Sequence, residues 1–318
     1  MTESVAQPRT IKEEMEAGRR LTDDFGWPTV FLFLGLFAMF FFAIWASMTG
    51  LISYFWGAVI NTVFIYALYT VVHEAIHGNI SSRRKNLRWV DLVVGTAACI
   101  PLFLFYYPHL KQHMVHHTKA NTEDDPDIYA RGGFLGWVFL RLPKALIAYF
   151  SPWNLRNDCI QFGVPKWQVT VSWITFALQW TVIVAILAFG YWKELLVLWF
   201  IPWWVGQTVM LTLFTWTPHH DHHDTGRYKD TRESLFPFAN LLLLGQNHHL
   251  IHHMMPGVQW YRYKRVFNEI RPLLERNGVR IEGFWPVIFE ISVTASSTAT
   301  LRSGALPMQE VTTIFSSL

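Results

Sequence analysis

Twelve of the fourteen histidines in this 318-residue sequence fall into four short clusters, and the spacing within them suits metal binding. In His73-Glu74-Ala75-Ile76-His77 a helix would set both imidazoles on one face, one turn apart. His113-Met114-Val115-His116-His117 and His249-Leu250-Ile251-His252-His253 share the pattern HxxHH, whose first, fourth and fifth residues share a helical face. The pair and the two triads offer eight imidazoles. Zinc takes four ligands and octahedral iron six, so eight exceed one ion and suit two. Imidazole serves iron, copper, zinc and nickel alike, so ligand type alone does not choose the metal; the spacing and an apolar setting favour a pair of non-haem irons. A ninth ligand can come from His219-His220-Asp221-His222-His223, and His219 is preferred because the end of a packed helix fixes it best.

Carboxylates stand beside these clusters at Glu74, Asp124, Asp125, Asp127, Asp221 and Asp224. Each could accept the second ring N–H of a ligand histidine, and the expectation falls on Asp125, Asp127 and Asp221. The competing account is an ordinary solvated acidic loop. A single HxxxH is weak, because exposed histidine pairs are common. The argument rests on repetition, and on each cluster lying next to a membrane boundary.

That boundary follows from composition. The sequence is 52% hydrophobic and 15% charged, and its 16 Trp and 25 Phe exceed what a water-soluble core of this size needs. Residues 26–72 hold no charge, enough for two spans of about 20 residues each. The expected spans are 27–48, 51–72, 169–190 and 195–216, paired into two hairpins, with Pro202 and Gly206 as sites for a kink. Segments 92–107, 134–150 and 235–244 are short or interrupted and are expected to stay on one side. If 92–107 crossed, His113 would lie about 30 Å from His73 and could not share its metal. Of 26 Lys and Arg only Lys193 falls in the short turns, so the positive-inside rule makes the opposite, histidine-bearing face cytoplasmic, with both termini.

The expected protein is therefore an all-α integral membrane protein. Four transmembrane helices in two hairpins carry a cytoplasmic helical cap that holds a histidine-rich di-iron site. Residues 1–25 form a cytoplasmic lead segment that is not a cleaved signal peptide, 26–290 the membrane domain and 291–318 a Ser/Thr-rich tail. Two cysteines, Cys99 and Cys159, make no disulfide framework, and a formal charge of +3 without aromatic-interleaved basic runs argues against nucleic acid. A b-type haem carrier would bury histidines inside the spans, and a metal transporter would need ionisable groups there; the expected spans have neither. Arg262, Lys264 and Arg265 read as interface anchors or as a docking face for an acidic electron donor.

Taken together, the segments His73–Gly78, His113–His117 with Thr122–Asp127, Phe214–His219 and Leu244–Tyr263 resemble the membrane fatty acid desaturase superfamily. Within it they are most like the bacterial and cyanobacterial β-carotene hydroxylases and ketolases. The resemblance implies two irons held by His73, His77, His113, His116, His117, His219, His249, His252 and His253, with O2 as co-substrate and Asn247 among the supporting groups. It further implies hydroxylation of an apolar, membrane-dissolved substrate such as a carotenoid ring; ketolation and fatty acyl desaturation are the alternatives. No cytochrome-type domain is fused to the chain, so electrons are expected from a separate protein such as ferredoxin. One departure stands out. His220, His222 and His223 crowd a position where the carotenoid ketolases usually show a single histidine, which leaves the ninth ligand open.

Overall fold

In hydrocarbon a peptide group finds no water, so an apolar run must close its hydrogen bonds on itself as helix. The computed structural model describes residues 11–220 and 222–283. It opens with α1 (Ile11–Leu21), α2 (Trp27–Met48) and α3 (Tyr54–His77), followed by α4 (Arg88–Leu102) and α5 (Tyr106–Lys119). Next come α6 (Phe134–Ala148), α7 (Pro152–Gln161), α8 (Lys166–Ala188) and α9 (Trp192–His219). The cap ends with α10 (His249–Met254) and α11 (Tyr263–Arg276). Helices α2, α3, α8 and α9 are long and apolar enough to cross a bilayer, as the expected architecture requires.

The span limits differ from the expected ones for local reasons. Helix α3 starts at Tyr54 because Ser53 caps it, accepting from the Trp56 amide at 3.5 Å, and it runs past 72 to carry His73 and His77 on its last turns. Gly78 stops it in the left-handed region at φ +70°, donating to the Ala75 and Glu74 carbonyls. Helix α9 runs through His219 with wider π-type turns at Leu196–Phe200 and Thr212–Trp216. A Cβ at Gly206 would come within 2.7 Å of Ile65 and 3.0 Å of the Thr62 carbonyl, so this glycine lets α9 press against α3.

Helices α4 and α5 meet at 96° and form an elbow, turned at Phe103 with φ +56°. An elbow at this place leaves the last carbonyls of α4 without helical partners. Gln179 of α8 donates to the Ile100 carbonyl at 3.2 Å, and Trp199 of α9 to Pro101 at 3.1 Å. Trp203 and Gln207 donate to Leu102 at 3.0 and 3.2 Å. The polar stripe of α8, Ser172, Thr175 and Gln179, is accordingly buried, while Ile174, Leu178 and Val184 are exposed. Helices α6 and α7 form a second elbow, bent by 87°. The 235–244 segment holds only one helical turn, Ala239–Leu242.

The cap is tied to the spans by buried polar contacts. Glu14 of α1, fully buried, pairs with Arg227 and accepts from the Tyr228 hydroxyl at 2.9 Å. Arg262 grips Asp23 at 2.6 Å. Asn79 donates to the Pro256 and Val258 carbonyls at 3.0 and 3.1 Å, fixing the loop after α10 to the end of α3. A short parallel pair, β1 (Glu233–Ser234) with β2 (Ile281–Glu282), closes the cap over a core that includes Leu250, Ile251, Phe267 and Ile270.

Candidate metal centre

The ends of α3 and α9 meet α5 and α10 at one place. Two groups of imidazoles form there, His73, His77, His113 and His252, then His116, His219, His249 and His253, with the ligand atoms of each within 4.8 Å of one another. Neither HxxHH box serves one group alone. On a helix the residue three ahead lies about 60° to one side of the first and the residue four ahead about 40° to the other. Each box therefore fans out. The α5 box sends His113 to the first group and His116 to the second, and the α10 box sends His252 to the first and His249 and His253 to the second. His117 stands between the groups, its Nε2 3.1 Å from that of His113 and its ring 4.5 Å from those of His252 and His253.

The nitrogens point at each other. Nε2 of His73 lies 3.0 Å from Nε2 of His252, and Nε2 of His219 lies 3.2 Å from Nε2 of His249. Burial, and then the neighbouring imidazoles, hold the His249, His252 and His253 rings well below the ordinary histidine range, so they are neutral at pH 7. Nε2 of His77 and both ring nitrogens of His253 are buried with no hydrogen-bond partner among the described residues. Buried lone pairs without donors are costly, and a cation between them removes the cost. The donor set thus fits two metal ions, four nitrogens to each, with His117 in reach of the first.

Behind the rings are groups that fix their orientation. His116 Nδ1 donates to Asp125 Oδ1 at 2.8 Å, and Asp127 stands 3.8 Å from the same nitrogen. His252 Nδ1 is 3.0 Å from the Tyr263 hydroxyl, and the Gln246 amide lies between the Nδ1 atoms of His249 and His73, at 3.4 and 3.5 Å. Glu233 reaches the neighbouring His248 at 2.6 Å and accepts from the Ile251 amide at 3.1 Å, pinning the start of α10. Sequence reasoning gave Tyr263, Gln246 and Glu233 no role at the site. Their partners lie on other elements, and only Gln246, three residues before His249, left a usable spacing signal.

The remaining candidates sit elsewhere. Asp124 and Asp224 face Lys119 and Lys229 at 3.6 and 3.8 Å, and Glu74 accepts from Asn79 and from the Trp260 amide rather than from a ring. Asn247 is buried, with its Oδ1 unpartnered among the described residues. Asp221 lies outside the described residues. His220 stacks on Trp216 at 4.2 Å, His222 Nδ1 donates to the Lys229 carbonyl at 3.1 Å, and His223 is exposed. Beside the first group lies a cavity of about 650 Å³ whose walls include Tyr69, Phe105, His109, His113, Asp127 and Tyr149. His109, one turn before His113, belongs to no box, and its Nε2 is 3.3 Å from the Tyr69 hydroxyl on the cavity wall.

Loss of a partner that orients a ligand ring typically lowers metal affinity about 10- to 100-fold. Tyr263→Phe, which removes only the hydroxyl against His252, is expected to weaken metal binding by about 10-fold at unchanged folding. Metal titration of the purified variant in detergent checks this, and an unchanged affinity would show that the contact orients nothing.

Two histidine groups held where four apolar helices meet a helical cap define a membrane protein built to hold metal. More particularly, the chain belongs to the fatty acid desaturase family, whose model matches residues 51–285. The beta-carotene ketolase of Paracoccus sp. (strain PC1) is 25% identical over 205 residues, covering 63% of this chain and 73% of the ketolase. An omega-3 fatty acid desaturase of Caenorhabditis elegans is 32% identical over 106 residues, 33% of this chain and 23% of that protein. The chloroplastic sn-2 acyl-lipid omega-3 desaturase (ferredoxin) of Helianthus annuus is 24% identical over 251 residues, covering 69% of this chain and 55% of the desaturase.

Proposed function

We propose that the chain holds two non-haem irons and oxygenates an apolar substrate dissolved in the bilayer, hydroxylating the ring of a β-carotene-type carotenoid. The observation that carries this reading is the pair of converging histidine groups beside a large, aromatic-walled cavity. His73, His77, His113 and His252, with His117, would hold one iron; His116, His219, His249 and His253 would hold the other. When bound, the irons supply reductive activation of O2 sufficient to attack an unactivated C–H bond. The chain's own residues do the rest. Asp125 and Tyr263 hold ring orientation, and the walls of Phe105, Tyr69 and Tyr149 exclude water and position the substrate's apolar end. Overall, RH, O2, two electrons and two protons give ROH and water.

Ketolation is the second reading, supported by the ketolase relatives, and it amounts to repeating the oxidation on the same carbon. Acyl desaturation is the third, supported by the other relatives. In all three the electrons come from a separate carrier such as ferredoxin. The excess of Lys and Arg on the histidine-bearing side would place that side and both termini in the cytoplasm. Expression in a host that accumulates β-carotene, with chromatography of pigments and lipids, separates the readings. New hydroxylated pigment supports the first and ketone the second; altered acyl chains with unchanged pigment would overturn the carotenoid reading.

A further inference from the structure

A second pocket reaches the metal centre at His77, which does not line the large cavity. It holds about 330 Å³, and its lining brings together Arg19 of α1, Arg83 and Arg88 before and at the start of α4, Met255 after α10, and His77. No carboxylate lines it among the described residues. The guanidiniums are placed by contacts, Arg88 donating to the Gly78 carbonyl at 3.0 Å and Arg83 to Asp24 at 3.2 Å and to the Arg19 carbonyl. Arg84, stacked on Phe25, and exposed Lys85 extend the cationic rim. Of the nearby acids, Asp23 pairs with Arg262, Asp24 with Arg83 and Glu269 with Arg20.

We propose that this pocket is the docking surface for an acidic one-electron carrier protein, and that electrons enter through His77. The inference rests on the oxygenase reading and adds where its reductant binds. An oxygenase must take electrons while the apolar substrate stays bound, so the two need separate approaches to the same centre. The large cavity reaches His113 through aromatic walls, and the small one reaches His77 through arginines. A net positive rim steers an acidic partner and sets its association rate. Each encounter oxidises one carrier by one electron, and two encounters supply the electrons that, with two protons, reduce the second oxygen atom of O2 to water.

The test uses the full-length, iron-loaded protein in nanodiscs with a reduced acidic ferredoxin as probe. Binding is expected to weaken as salt rises, and the Arg19→Glu/Lys85→Glu variant is expected to bind about 10-fold more weakly or worse. Arg19→Lys should bind as wild type does, and carbodiimide coupling should join Lys85 to the ferredoxin. Oxygenation driven by a small dye reductant should be equal in wild type and variant. Unchanged ferredoxin binding in the charge-reversed variant overturns the proposal. So does a variant that loses only its attachment to acidic lipid vesicles, which would make the patch a headgroup anchor. If dye-driven oxygenation is absent in the wild type while the binding loss is seen, the oxygenase reading fails and the docking surface stands.

Discussion

His252→Ala is expected to lower turnover by more than about 100-fold and to remove bound metal, while the protein still inserts and elutes as a folded species. The imidazole is fully buried, its Nε2 is 3.0 Å from that of His73, and it is the one residue that the α10 box lends to the first group. Losing a residue that merely orients a ligand costs about 10- to 100-fold, so losing a ligand must exceed that range. The same result is expected for His113, His116 and His249. His223→Ala is the control, because that side chain is exposed and outside both groups; it should leave metal content and turnover unchanged. Full activity in any of the four ligand variants would show that these rings do not hold the metals. Metal analysis per chain, read beside turnover and a thermal melt, distinguishes ligand loss from misfolding.

Glu233→Ala is expected to destabilise the cap by about 2–6 kcal/mol, because it strands two buried groups, each costing about 1–3 kcal/mol. One carboxylate oxygen meets His248 at 2.6 Å and the other takes the Ile251 amide at 3.1 Å, inside a helix of only six residues. Nothing else among the described contacts replaces both. Glu233→Gln keeps the shape and much of the bonding, so its cost should be nearer 1–3 kcal/mol. The measurement is thermal unfolding in detergent of metal-free protein, which separates the fold's own stability from what bound metal adds. A melt for Glu233→Ala equal to wild type would show that the contact is incidental.

The spans were legible because hydrocarbon thickness imposes a length on any apolar run, and the helices at 27–48 and 166–188 follow that rule closely. The second span was expected at 51–72 with the helix carrying on through His73 and His77, and α3 does carry on, until Gly78 turns it. The eight imidazoles of the two groups all stand in clusters that spacing singled out, because i, i+3 and i+4 residues share a helical surface. How each box divides between the groups follows from 100° of rotation per residue and could have been drawn from the same pattern. Glu233 and Tyr263 could not. Each acts across a tertiary contact, and local sequence carries no record of which distant ring it will meet. Gln179, Trp199, Trp203 and Gln207 were hidden in another way: within apolar spans they pass for lipid-facing or interfacial residues, and only the elbow of α4 and α5 shows what they bind.

That elbow sets an order of synthesis. A nascent chain whose translation has reached only α5 has the first hairpin and two boxes, but the donors for Ile100, Pro101 and Leu102 are still to be made. Until the later hairpin has packed, the end of α4 lacks those donors and His116 has no His219 to meet. The amino-terminal half alone therefore cannot mature; loading has to wait for the whole polypeptide.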